Sequence, residues 1–244
     1  VLNMKMNLTR NFIDQTFSLN KKIILEKSST HHLLKVLRKK EGDEIILFDG
    51  KGNSCLGVIS SLKRFELELE IIEVFDRTLR SGIDISLGQS LIKSDPLHLI
   101  IQKATELGVA SFCPLVTDRS VIKLKMTKNR TLKWSLIARG ACEQCGENWL
   151  PIIESPMKLN KWAEGEKSKI KIVLYPHATN KISDLDYKDS VSLAIGPEGD
   201  FTEYEVDSLV EKGFIPVTIG RRILRAETAA ISAISSVRFG AKEF

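Results

Sequence analysis

The sequence predicts an α/β protein in which a small β-rich domain precedes a larger, mostly parallel sheet. Three observations predict it. Strand-like runs crowd the first 76 positions, with one short helical pattern among them. Beyond them, apolar runs of strand length alternate with helical patterns, as in β-α-β units. Near the end, two apolar runs each stop at a glycine-bearing loop that leads into a helix: Ile195-Gly196-Pro197-Glu198-Gly199, and Ile219-Gly220 onward. Loops at the carboxyl ends of adjacent parallel strands are where open α/β sheets bind ligands.

Composition narrows the class. A chain of 244 residues, 43% hydrophobic and 27% charged, can bury a large core in one or two domains and reads as an ordinary soluble protein. No apolar run approaches the ~18 residues of a membrane span. The opening V-L-N-M-K-M-N-L-T-R lacks the apolar core of a signal peptide, so the cytoplasm is the expected compartment. A net charge of +5 suits a polyanionic partner without demanding one. Of Cys55, Cys113, Cys142 and Cys145, only the last two form a close pair, with no second pair or histidine cluster nearby. Zinc needs about four ligands, so reduced thiols and no metal are expected.

Residues 1–76 read as a small β-barrel. Glu44–Phe48, Ser54–Ser60 and Glu66–Val74 are its strands, and Asp49-Gly50-Lys51-Gly52-Asn53 has turn chemistry. A helix is expected over 31–38, ending in the basic group Lys35, Arg38, Lys39 and Lys40, which suits either a solvated helix end or phosphate contact. The polar stretch D-R-T-L-R-S-G at 76–82 marks the boundary, and 77–244 forms the second domain.

There, Ile83–Leu87 is a strand and Asp95-Pro96 starts a helix with Pro at its first position. Leu97, Ile100, Ile101, Ala104 and Leu107 make that helix's inner face, and Gly108 closes it. Val109–Val116 is the next strand. A helix over about 128–146 is expected to turn Leu132, Leu136, Ile137 and Ala141 inward. Ile170–Tyr175 and Val191–Ile195 are further buried strands. Thr202 and Glu205 form a capping box with Phe201 stapled onto Val206, and Val206, Leu209 and Val210 follow as an apolar stripe. From Arg119 to Arg139 there are seven basic residues and no acidic one. Such a one-signed block points to nucleic acid, and Arg119, Lys123, Lys125 and Arg139 are its candidate RNA contacts beside Arg38 of the first domain.

The two glycine loops leave peptide groups bare for a ligand. Neither is a phosphate cradle, since no G-x-x-x-x-G-K-[ST] occurs and no G-x-G-x-x-G follows a strand. A flat polar ligand such as an adenosine fits better than a triphosphate, and a pair of ordinary βα turns is the plain alternative.

I-G-P-E-G at 195–199 and I-G-R-R-I-L-R-A-E-T-A at 219–229 resemble the signature of the bacterial 16S rRNA uracil-N3 methyltransferases, which belong to the SPOUT superfamily. Val36-Leu37-Arg38 with Gly42-Asp43, the run Gln102–Val109, Pro114-Leu115, Arg119-Ser120 and Glu143-Gln144 fall in the same family's order, so the likeness spans nearly the whole chain. The resemblance implies a PUA-like, RNA-holding first domain and a SPOUT sheet with a C-terminal trefoil knot. It implies S-adenosylmethionine as cofactor, 16S rRNA of the small ribosomal subunit as partner, a role in ribosome biogenesis, and a homodimer. Cofactor contacts map onto Gly196, Pro197, Glu198, Gly199, Ile219, Gly220, Ile223 and Leu224. Leu174 and the Tyr175-Pro176-His177 that follows supply a third edge, with His177 either a polar contact or a loop residue of no consequence. The sequence departs from the family twice: Asp200 stands where the first loop more often has a final glycine, and Glu147 stands where an arginine usually follows Gly146.

The implied reaction sets what the site needs. Uracil N3 carries a proton and is a poor nucleophile until the proton leaves, so a base or an anion-stabilising cation is required. Arg225 and Glu227 have that chemistry: Arg225 to stabilise the anion or hold a phosphate, Glu227 to accept a proton or orient Arg225. Two rival readings stand beside this one. One is a SPOUT methyltransferase acting on ribose 2′-hydroxyls or tRNA; the other is a non-catalytic RNA-binding assembly factor.

Overall fold

A computed structural model describes residues 8–25, 27–63, 66–80, 82–120 and 128–243. The chain forms two compact units, one running to Arg80 and taking in Cys142–Leu150, the other made of the rest.

In the first unit, β1 (Arg10–Phe12), β2 (Lys22–Ile24), β3 (Glu44–Phe48), β4 (Ser54–Lys63) and β5 (Glu66–Val74) join in the order β1-β3-β4-β5-β2. β1 pairs parallel with β3, and the other pairs are antiparallel. The β3–β4 turn is built by Asp49, whose Oδ1 accepts from the amides of Lys51 (2.7 Å) and Asn53 (3.1 Å). Leu67, Leu69 and Ile71 alternate inward along β5 and meet Ile23, Leu33, Ile45, Leu47 and Ile59. The helix expected over 31–38 is different in the structure. A short α1 (Lys27–His31) passes into a π-helical turn over His32–Val36, and Arg38 follows with φ 53°. Among residues 31–38 Leu33 alone is fully buried, while Val36 and Leu37 are exposed, so no continuous apolar stripe holds a longer α-helix there.

Cys142–Leu150 packs within this unit through backbone and side-chain hydrogen bonds. Phe12 N donates to Glu143 Oε1 (3.0 Å), and the amides of Gly52 and Leu150 donate to the carbonyls of Asn148 and Gly50. The Trp149 indole lies against Gly52, where a Cβ would stand 2.8 Å from the ring. Its Nε1 donates to Thr78 O, and the guanidiniums of Arg77 and Arg80 sit 4.9 and 5.1 Å from the ring centroid.

The second unit holds β6 (Ile85–Ser90), β7 (Ser111–Val116), β8 (Ile152–Ile153), β9 (Met157–Lys158), β10 (Ile170–Leu174), β11 (Asn180–Lys181), β12 (Val191–Ile195) and β13 (Ile215–Thr218). All its pairings are parallel among the described residues, in the order β11-β13-β10-β12-β6-β7-β8, with β9 also on β7. Its helices are α2 (Ser94–Glu106), α3 (Lys128–Cys145, whose last turn joins the first unit), α4 (Leu159–Gly165), α5 (Glu203–Glu211) and α6 (Ala226–Gly240). β12 shows the layering: Val191, Leu193 and Ile195 enter the core shared with α2 and α6, while Ala194 enters the opposite layer with Trp162, Phe201, Leu209 and Phe214.

Several elements differ in detail from expectation. α2 starts at Ser94, so Pro96 is its third residue. It is tolerated because first-turn amides have no helical partner in any case. β6 begins at Ile85 and runs on to Ser90, which places Gln89 near the strand's carboxyl end. In α3 the inward stripe is Trp134, Ala138 and Ala141, while Leu132 (57% exposed) and Leu136 (53% exposed) face outward. Burying the large Trp134 sets the helix phase, which turns both leucines away. Val210 is likewise exposed at the end of a stripe whose Val206 and Leu209 are buried.

The strand order positions the site. β12 lies on one side of β10 and β13 on the other, so α5 crosses over β10 between them. The chain ends of three neighbouring parallel strands therefore open onto one crevice, at a reversal of strand order.

Candidate active site

The loop after β12 is held from three directions. Gln89, fully buried at the end of β6 and opposite Ile195, donates from Nε2 to Gly196 O (3.2 Å). Arg119, three residues beyond β7, donates from Nη1 to Gly199 O (2.9 Å) and Phe201 O (3.5 Å). Thr202 and Glu205 form the capping box: Glu205 N donates to Thr202 Oγ1 (3.2 Å) and Thr202 N to Glu205 Oε2 (2.9 Å). Glu205 Oε1 also accepts from Asp118 N (2.9 Å), so one buried carboxylate ties the helix start to the strand beside it. The loop after β13 folds on itself through Thr218, whose Oγ1 accepts from Gly220 N and donates to Gly220 O. The third edge, Leu174-Tyr175-Pro176, leaves β10 with Tyr175 N donating to Val217 O (2.9 Å).

These three segments enclose a cleft of about 600 Å³, open solvent at its mouth included. Gly196, Pro197 and Glu198 line it from the first loop, Ile219, Gly220, Ile223 and Leu224 from the second, and Leu174 from the third edge. Gly199 instead lines an adjoining cavity with Arg119 and His177. The lining is mostly apolar, with Glu198 and Asp200 contributing carboxylates and Arg222 a guanidinium. A small nucleoside-like ligand with both apolar and charged parts fits that chemistry. Gly196 is where bare backbone matters: a Cβ there would stand 3.1 Å from Asp200 Oδ1 and 3.2 Å from Phe201 N.

Residues 80–238 match the RNA methyltransferase domain family, and residues 25–72 match the RNA methyltransferase PUA domain. The chain belongs to this family of RNA methyltransferases. It is 34% identical over 243 residues to ribosomal RNA small subunit methyltransferase E of Buchnera aphidicola subsp. Schizaphis graminum, covering 97% of this chain and 99% of the relative. The Bacillus subtilis protein of the same name is 31% identical, covering 86% of each. Among solved structures, a Legionella pneumophila protein in complex with the cofactor SAM superposes with a TM-score of 0.92 at 31% identity, covering 96% of this chain and 98% of that one. The Neisseria gonorrhoeae ribosomal RNA small subunit methyltransferase E bound to S-adenosyl methionine does so with a TM-score of 0.89 at 29% identity, covering 96% and 98%.

Within this RNA methyltransferase, the two residues expected to do chemistry stand at the rim of the cleft. Arg225 is the N-cap of α6, exposed, while Glu227 is half-buried in the helix's first turn. Their neighbours Leu224 and Ala226 line the cleft, but Arg225 and Glu227 do not, and no ion pair joins them. Of the candidate RNA contacts, Arg38 is exposed on the first unit and Arg139 half-buried on α3. Arg119 spends part of its guanidinium on the first loop. Lys123 and Lys125 lie outside the described residues.

Both departures from the family pattern have local explanations. Asp200 has φ 62°, a backbone that favours glycine and that aspartate tolerates better than most residues, and its Oδ1 accepts from Phe201 N (2.8 Å). Glu147 uses Oε1 to accept from the amides of Asn148 (2.7 Å) and Trp149 (3.0 Å), which commits that carboxylate to its own loop. Sequence reasoning did not assign Gln89, Thr218, Ala226 or Ala229 to the site. The small pair Ala226 and Ala229, three apart at the start of α6, was the available sign of a helix face kept low for a ligand. Cys55, Cys113 and Cys142 are buried and Cys145 is exposed; burial pushes the Cys142 thiol up to about 12. Among the described residues no His, Cys, Asp or Glu group is arranged to hold a metal, and no helix is long and apolar enough to cross a membrane.

Proposed function

We propose that this chain methylates N3 of one uridine in 16S rRNA of the small ribosomal subunit, with S-adenosylmethionine as donor, as a cytoplasmic homodimer. The observation that carries the reading is the cleft, where bare backbone at Gly196 and Gly220, mostly apolar walls and the carboxylates of Glu198 and Asp200 with the Arg222 guanidinium meet at the ends of three parallel strands. When bound, the cofactor supplies an electrophilic methyl group. Peptide groups of Gly196–Glu198 and Ile219–Leu224 hold its nucleoside, with Leu174, Ile195 and Ala229 as apolar walls. Glu198 and Asp200 offset its positive charge. The chain's remaining task is to orient the acceptor and remove its proton. Arg225, exposed at the rim, stabilises the anion that forms on the base or holds an adjacent phosphate, and Glu227 is its acidic neighbour. Arg38, Arg119, Lys123, Lys125 and Arg139 contact the RNA backbone.

Mapping of small-subunit rRNA by primer extension and mass spectrometry, with and without this protein, tests the reading. One uridine should lose its N3-methyl mark when the protein is absent. A lost 2′-O-methyl or tRNA mark, or unchanged RNA with no S-adenosylmethionine binding by calorimetry, sinks it.

A further inference from the structure

Three segments of the first unit meet at Gly52: its own turn, the stretch 76–80 and the loop 147–150. The Gly52 amide donates to Asn148 O (3.1 Å), and its carbonyl accepts from Thr78 N (2.9 Å) and Thr78 Oγ1 (3.0 Å). Gly52 has φ 93°, and a Cβ there would stand 2.7 Å from Thr78 O and 2.8 Å from the Trp149 indole. Only glycine lets the ring in that close. The indole N–H, the one polar group of that side chain, donates to Thr78 O (3.1 Å), and Lys51 and Trp149 form an antiparallel bridge. The half-buried ring is therefore a fixed platform at the surface.

Two cations stand on it. The guanidiniums of Arg77 and Arg80 lie 4.9 and 5.1 Å from the indole centroid. Core packing does not explain why they are there, since residues 76–79 are exposed, Leu79 to 85%. Arg77 Nε donates to Lys51 O (3.0 Å), which fixes the plane of the group. Its two terminal nitrogens have no partner among the described residues. The carboxylates around this junction are spent elsewhere. Asp14 pairs with Lys51 Nζ (3.3 Å), Asp49 Oδ1 accepts from the amides of its own turn, and Glu147 Oε1 accepts from the amides of Asn148 and Trp149. Asp76 is exposed and pairs with neither arginine.

We propose that Arg77, seated on Trp149, is a phosphate-binding fork for the RNA backbone, with the Arg80 charge beside it. The assignment rests on the proposed reading that RNA is the acceptor, and it adds a contact outside the basic block 119–139 and apart from Arg38. A guanidinium already fixed by a ring and by one hydrogen bond loses little freedom when its two remaining donor groups meet a phosphate. Phosphate is the anion that an RNA strand presents at every nucleotide, so the contact positions the strand and reads no sequence.

The test uses the full chain and the variants Arg77→Ala and Arg77→Lys, with thermal melts to confirm the fold. Binding of unmethylated 16S rRNA and of poly(U) is measured from about 50 to 200 mM salt. Arg77→Ala should weaken both about three- to tenfold and lower the salt slope by about one unit. Arg77→Lys should recover the slope but not the whole affinity, because an ammonium is a point charge with no fork. In turnover with rRNA, Arg77→Ala should raise KM by a similar factor at unchanged kcat, and S-adenosylmethionine affinity should stay within about twofold of wild type. Wild-type RNA affinity in Arg77→Ala overturns the proposal. So does weaker binding at an unchanged slope, or a slope that Arg77→Lys leaves lowered, since either result assigns the residue to structure alone. A wild-type chain that transfers no methyl group to rRNA sinks the uridine-N3 reading instead, while the poly(U) slopes still decide the fork.

Discussion

Gln89 Nε2 donates a hydrogen bond to Gly196 O across 3.2 Å, from a side chain with no solvent exposure. The bond joins the end of β6 to the first residue past β12, so the cofactor loop starts from a fixed point. Gln89→Leu removes the donor and leaves a buried carbonyl unpaired, which costs ~1–3 kcal/mol. A thermal melt should show the drop, and calorimetry should show S-adenosylmethionine binding weakened about tenfold. Unchanged affinity in a variant of lowered stability would mean that the bond serves only the core.

The two glycines of the first loop should differ in tolerance. At Gly196 a Cβ would stand 3.1 Å from Asp200 Oδ1 and 3.2 Å from Phe201 N, whereas at Gly199 its nearest neighbours are the Arg119 side-chain carbons at 3.6 Å. Gly196→Ala should weaken cofactor binding by tenfold or more, and Gly199→Ala by less than threefold. Equal losses at both positions would contradict the geometry.

Arg119→Ala should affect two measurements at once. The side chain holds the carbonyls of Gly199 and Phe201, so cofactor affinity should fall about three- to tenfold with both charge-assisted bonds gone. If the same guanidinium also meets a phosphate, the salt slope of RNA binding should drop by about one unit. A variant with weaker RNA binding and unchanged cofactor affinity would leave only the electrostatic role.

Glu154 should make stability depend on pH. Burial, with Glu166 nearby, holds its carboxyl above the ordinary value of 4.5, and a contact with Cys113 opposes this. The folded state therefore binds the proton more tightly than the unfolded chain. This contribution is fully present below the ordinary carboxyl value and is lost as pH rises through the raised one. Glu154→Gln should melt at a higher temperature than wild type at neutral pH, with the difference shrinking toward pH 4. A constant difference across that range would assign the effect to packing.

The chain's alternating patterns and turn residues determined the α/β class, the strands 44–48 and 191–195, the capping box at Thr202, and both glycine loops. Each of these is set by residues within a few positions of one another, where periodicity and local hydrogen bonding decide. The phase of α3 was not legible, because Leu132 and Trp134 compete for one core and only its shape selects between them. Gln89 and Asp200 escaped notice as site residues for a related reason. Gln89 reaches Gly196 from 107 positions away, and Asp200 matters through the cavity on each side of it. Local sequence fixes which backbone can bend and which face is apolar. Which side chains meet at a cleft depends on the order in which parallel strands come together, a long-range choice that only tertiary packing makes.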